Sequence, residues 1–261
     1  MKKITALFLA ALMMFSLAAC GKKDMADSEY VKENGKLVIG ITDYAPMDYM
    51  DENLNWVGFD ADMAKAFADS LGVQAEFVLI SWGQKIEEVK GMTIDCVWNG
   101  MTLTDEVMAG MDCSNPYCNN TQVVVIPASK ANTIKSVDDL KGLSIAVEDG
   151  SSGEAAVNAL NLNAVEVEDQ AAALLEVKSG TSDAAVIDVL MAAVAIGEGT
   201  DYAELTTGLS LNTDENFGVG FRQGSDLVEK LNKFFKDAYA DGTMTKLAKQ
   251  YGIEDAIIEQ K

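Results

Sequence analysis

Short β-type runs alternate with amphipathic helical segments twice over in this chain, and that alternation commits it to an α/β architecture with largely parallel sheet. In the first series, 37–41, 73–80 and 94–99 read as strands. Between them Phe59, Met63, Phe67 and Leu71 recur every fourth residue, with Asp60 near the start and Gly72 at the end, which predicts a helix. A short helix over 84–90 turns Ile86 and Val89 inward. The β-branched run 122–127 closes on Pro127, and a Ser/Lys/Asn-rich stretch to Lys135 follows. A second series then places helices over 136–140, 153–160, 170–177 and 189–196 and strands over 143–147, 165–167 and 184–187. A weak internal echo supports the doubling: Asp95 to Asn99 and Asp183 to Asp188 each run from an acid through an apolar strand to a polar tip. About 225 residues lie beyond Lys36, enough for one large domain or two small lobes, and the doubled series favours two lobes.

Within the first series the apolar run Ile94, Cys96, Val97, Trp98 stops abruptly at Asn99-Gly100, and hydroxyls follow. Strands of an open α/β sheet deliver functional groups at their carboxyl ends, so Asn99, Gly100 and Thr102 are expected at a ligand crevice. An ordinary strand-to-helix turn is the plainer alternative.

Composition removes several chemistries. With no histidine, His-based triads and the commonest metal ligand are excluded, and neither a cofactor nor a metal site is expected. Acidic residues outnumber basic ones 41 to 20, so nucleic acid and anionic headgroups would be repelled. Besides Cys20 the cysteines are Cys96, Cys113 and Cys118, without CxxC spacing; a local Cys113–Cys118 pair and three packed thiols are both open. The N-terminus has Lys2 and Lys3, an apolar segment from Ile4 to Leu17, and then Leu17-Ala18-Ala19-Cys20. That segment is too short for a spanning helix, which needs ~20 residues. The pattern predicts a signal peptide over 1–19 whose ending resembles a lipobox, with lipid attached to Cys20, followed by a polar tether over 20–35; a plain signal peptide is the alternative.

The order strand, Gly100-Met101-Thr102, Thr104, Glu106, short helix, then Asp112, Ser114, Pro116-Tyr117 resembles the polar amino-acid solute-binding proteins of ABC transporters, family 3 type and lipid-anchored. The resemblance continues through Gly58-Phe59-Asp60-Ala61-Asp62, Ala64-Lys65, Leu71-Gly72, Asp139-Leu140-Lys141-Gly142, Gly150-Ser151-Ser152-Gly153-Glu154, Asp183 to Asp188 and Ala240-Asp241-Gly242-Thr243. It implies an α/β, two-lobed periplasmic-binding-protein-like fold of type II: two mostly parallel sheets flanked by helices and joined by a two-strand hinge. Lobe 1 would comprise 36–124 and 218–261, and lobe 2 would comprise 125–217. The Gly-interrupted run 216–221 would be the return crossing. Residues Phe234, Phe235, Ala238, Tyr239, Leu247 and Tyr251 would lie on helices packed back on lobe 1.

The same resemblance implies site roles. Tyr44 and Trp82 would clamp the ligand with aromatic faces, although either residue also suits a core. Asn99, Gly100 and Thr102 would hold a carboxylate. Ser151 and Ser152, before a helix, would add an anion-holding nest, a role compatible with N-capping. Asp188 would pair the ligand's α-ammonium. The departure is Val107, which stands where the family places an arginine that grips the ligand carboxylate; Arg222, the one arginine of the chain, falls in the return crossing and reads as structural. The expectation is a non-enzymatic, monomeric, extracytoplasmic binding lipoprotein that captures a small amino acid or related amine and delivers it to ABC permease subunits in the membrane. A ligand sensor and a dehydratase on the same fold are the alternatives.

Overall fold

The computed structural model describes residues 25–261, so the signal segment and Cys20 lie outside the described residues. Strand β1 (Lys36–Ile41) pairs in parallel with β4 (Gln74–Leu79) and β5 (Cys96–Thr102). Strand β8 (Ser144–Glu148) pairs in parallel with β9 (Asn163–Val167) and β10 (Ala184–Asp188). These two parallel trios are the lobes' cores, as the doubled series predicts. The short hairpin strands β2 (Tyr49–Met50) and β3 (Trp56–Val57) stand apart.

The two sheets, joined by a pair of strands as expected, form one continuous ladder. Two long antiparallel strands, β7 (Cys118–Pro127) and β11 (Leu205–Phe221), pair with each other and with one trio each, giving one ladder in the order β4-β1-β5-β11-β7-β10-β8-β9, with β6 (Asp112–Cys113) off β11. Strand β11 is therefore far longer than the 216–221 run. Its middle, Asn212 to Asn216, has no apolar residue because it crosses between lobes, where Asn212 and Glu215 form side-chain hydrogen bonds instead of filling a core. Register shifts fall between Thr207 and Ser210, Ser210 and Asn212, and Asn212 and Glu215, so the ladder is irregular where it bridges the lobes.

Helices flank the sheet. Helix α2 (Phe59–Leu71) buries Phe59, Met63 and Phe67 and stops at Gly72, whose φ of 79° lets the chain turn left-handed. The next, α3 (Lys85–Lys90), is preceded by a 3-10 turn at Trp82–Gln84, and α4 (Asp105–Gly110) is capped by Thr104. In lobe 2, α5 (Ser152–Ala159), α6 (Gln170–Ser179) and α7 (Val189–Ala195) follow β8, β9 and β10; the helix expected over 136–140 is a 3-10 turn, Val137–Leu140. After β11, α8 (Leu227–Ala240) and α9 (Thr243–Gln250) return to lobe 1. There the Phe235 ring meets Trp98 at 5.5 Å, and the Tyr251 hydroxyl donates to Asp62 at 2.6 Å.

Residues read as a structureless tether instead include helix α1 (Asp27–Asn34). Val31 is its only buried apolar residue, so no periodicity marks it. Polar contacts hold it: the Ser28 amide and hydroxyl donate to Asp226 at 2.9 and 2.6 Å, and Asp27 pairs with Arg222 at 3.0 Å. Arg222 also reaches Asp95 at 3.5 Å and the Ile94 carbonyl at 3.1 Å, in keeping with a structural role. Cys96, Cys113 and Cys118 are all free thiols.

Candidate functional site

The carboxyl ends of β1, β5, β8 and β10 converge on one cavity of about 250 Å³. All eight residues singled out in the sequence line it: Tyr44 beyond β1, Trp82 beyond β4, Asn99, Gly100 and Thr102 at the end of β5, Ser151 and Ser152 at the start of α5, and Asp188 at the tip of β10. Both lobes contribute, and they touch at the rim. The Lys85 ammonium donates to the Gly150 carbonyl at 2.8 Å, and a Cβ on Gly150 would lie 2.5 Å from the Gly83 Cα.

Several of these side chains are already engaged, which alters the roles expected of them. The Asn99 oxygen accepts from the Thr42 amide and hydroxyl at 3.0 and 2.9 Å. Its nitrogen donates to the Thr42 carbonyl at 3.0 Å and to Asp48 at 2.9 Å. The Gly100 N–H donates to Asp60 at 2.7 Å. Neither donor is free for a carboxylate, contrary to expectation: they fix the β5 tip against the Thr42 turn and helix α2. Ser151 caps α5 by accepting from the Glu154 N–H at 3.0 Å, while the Ser152 hydroxyl donates to Glu215. The Thr102 hydroxyl also donates to Glu215, at 3.3 Å. Trp82 already carries a cation, because the Lys85 ammonium lies 4.8 Å from its ring centroid and donates to its carbonyl at 3.2 Å.

Below the cavity two carboxylates share amides. Asp188 accepts from Asn120, from Gln122 at 2.6 Å and from Gln170; Glu215 accepts from those same Asn120 and Gln122 amides, both at 2.8 Å. Burial pushes the Asp188 carboxyl up to about 6; the Gln170 amide works against that rise and the Glu215 charge adds to it. The buried Tyr44 hydroxyl has no partner, and its pKa rises through burial and then the neighbouring Asp188 charge. Lys85 is lowered by burial, against the opposing pull of Glu148 and other acids.

The lining balance is acidic: Asp105, Glu106, Glu148 and Asp188 face a single cation, Lys85, among the described lining residues. Val107 lies in the wall, its side chain packed with Trp82, Met101 and Met111, so an apolar patch occupies the position of the missing arginine. Lys85, Gln122, Glu148 and Gln170 were not anticipated. Glu148, like Asp188, ends an apolar strand, a signal present in the sequence.

The family model described as "Bacterial extracellular solute-binding proteins, family 3" matches residues 37–254. The arginine-binding extracellular protein ArtP of Bacillus subtilis (strain 168) is 31% identical over 256 residues, covering 96% of this chain and 98% of that protein. Among solved structures, an ABC uptake transporter substrate-binding protein from Streptococcus pneumoniae with bound histidine superposes with a TM-score of 0.82 at 28% identity, covering 90% of this chain and 99% of that one. The ancestral amino-acid-binding protein AncCDT-1, a precursor of cyclohexadienyl dehydratase, superposes with a TM-score of 0.78 at 33% identity, covering 86% and 98%. With the family model spanning both parallel trios and the crossing strands between them, the chain belongs to the bacterial extracellular solute-binding proteins, family 3.

Proposed function

We propose that this protein is the extracytoplasmic binding subunit of an ABC importer, a monomer that closes its lobes (36–124 with 218–261, and 125–217) on a small cationic amino acid or related amine. The observation that carries the reading is the charge of the interlobe cavity: four carboxylates and two aromatic rings face one ammonium. Such a wall attracts cations and repels the polyanionic acids that a dehydratase of this fold would take. The named relatives support binding over catalysis, since ArtP and the histidine-bound protein are both described as binding proteins.

Calorimetry with L-arginine and its decarboxylated counterpart agmatine tests the ligand class. With Val107 in place of a charged fork, a ligand carboxylate loses an interaction of about 1.5 to 3 kcal/mol, so agmatine should bind within tenfold of L-arginine. Val107→Arg should shift the preference at least tenfold toward L-arginine. Tight binding of L-arginine with agmatine ignored would mean that another group, with Lys85 the nearest cation, has replaced the arginine.

The lipid anchor is part of the same proposal and rests on Leu17-Ala18-Ala19-Cys20. Exported Cys20→Ala protein should leave the membrane fraction for the medium. Retention in the membrane fraction would exclude Cys20 as the anchor. Among the described residues no helix is long and apolar enough to cross a membrane.

A further inference from the structure

Glu215 sits in the irregular stretch of β11 where that strand crosses between the lobes, and its side chain is buried. Its two oxygens collect five hydrogen bonds, all from uncharged donors. Oε2 accepts from the Thr102 hydroxyl at 3.3 Å and from the Asn120 and Gln122 amides, both at 2.8 Å. Oε1 accepts from the Ser152 hydroxyl and from the Asn212 amide at 2.9 Å. One carboxylate thus ties the tip of β5 in the first lobe to the start of α5 in the second.

Thr102 and Ser152 are the hydroxyls that the sequence offers to a ligand carboxylate, one from each lobe, and both line the cavity. A hydroxyl has a single hydrogen to donate, and in both residues Glu215 takes it. The chain already holds Glu215 in place, whereas a ligand's carboxylate must be brought there at an entropic cost. The charge of Glu215 also repels a second carboxylate beside it.

We propose that Glu215 is a specificity-determining residue: an in-chain carboxylate that bridges the two lobes' hydroxyls where a ligand's carboxylate would. The site thereby denies an amino acid the advantage its carboxylate would give it over the matching amine. This rests on the amino-acid or amine reading above and narrows it toward amines. Lys85 and Gln170 each keep an N–H beyond the bonds already described, so a ligand carboxylate still finds donors. What it loses is the pair of hydroxyls through which it would link the lobes.

The test is calorimetry on the full mature protein at pH 8 with L-arginine and agmatine, the same skeleton with and without the carboxylate. Glu215→Ala should move the preference at least tenfold toward L-arginine, because both hydroxyls become free for its carboxylate. Adding Thr102→Val and Ser152→Ala to that variant should take the gain back. A gain that survives those two substitutions would come from the lost charge alone, and that outcome or an unmoved preference overturns the assignment of Glu215. Ser152→Ala by itself keeps the test decisive where Glu215→Ala fails to fold. It should weaken L-arginine and agmatine by factors within twofold of each other, whereas a loss confined to L-arginine would show the hydroxyl serving the ligand's carboxylate and overturn the inference. If the wild type binds neither ligand, the amino-acid and amine reading falls, and this inference with it.

Discussion

Asp188→Asn should weaken binding of L-arginine at least tenfold, about 1.4 kcal/mol, when measured by calorimetry at pH 8. At that pH the wild-type carboxyl, raised to about 6 chiefly by burial, is ionised. The substitution removes the charge and also turns an –NH₂ group toward amides of Asn120, Gln122 and Gln170 that now donate to the carboxylate. Those amides lose acceptors, so a loss of stability of about 1 to 3 kcal/mol should accompany the loss of affinity. Wild-type affinity should also fall as pH drops through about 6, because protonation abolishes the anion, and that dependence should vanish in the variant. An affinity within twofold of wild type, with only stability reduced, would make Asp188 an anchor for the three amides and remove it from ligand binding.

The second large effect is expected from the rim, where the lobes touch through two glycines. Gly150 has a φ of 69°, and a Cβ there would lie 2.5 Å from the Gly83 Cα. Gly150→Val therefore strains the turn and also wedges the lobes apart. Gly83→Val separates the two effects. Gly83 is not in the left-handed region, and its added Cβ would meet the Asp149 carboxylate at 2.3 Å, so crowding is nearly all it introduces. Both variants should bind L-arginine at least tenfold more weakly, and small-angle scattering should show that neither compacts with ligand as the wild type does. Ligand-induced compaction retained in Gly83→Val would mean that closure does not pass through this contact.

How much was legible in the sequence depends on whether the signal was local. Helix α2 was plain because Phe59, Met63 and Phe67 share a face and Gly72 ends it. The tip of β5 was plain because an apolar run meets Asn99 and Gly100. What Asn99 does there was not, since its partners Thr42 and Asp48 lie more than fifty residues away and nothing near Asn99 points to them. Strand β11 was read only over 216–221 because the polar stretch from Asn212 to Asn216 interrupts its apolar alternation, and helix α1 was missed because polar contacts hold it with a single buried apolar residue. Asn99, Gly100 and Thr102 came from the end of an apolar strand and the other five cavity residues from matching motif order, whereas the contacts that occupy Asn99, Gly100, Ser152 and Trp82 lie in side-chain geometry that no motif records.

Helix α1 has a consequence for delivery. Because Asp27 and Ser28 are pinned to Arg222 and Asp226, the chain between a lipid-bearing Cys20 and the folded body shrinks from fifteen residues to the six at 21–26. Six residues reach at most about 20 Å, less than the body's own width. If Cys20 carries the proposed lipid, a leash that short would restrict tumbling and keep the face carrying α1 toward the bilayer. The cleft would then sweep only a thin layer above the membrane, and the proposed permease would meet the loaded protein at a local concentration set by the leash and not by expression level.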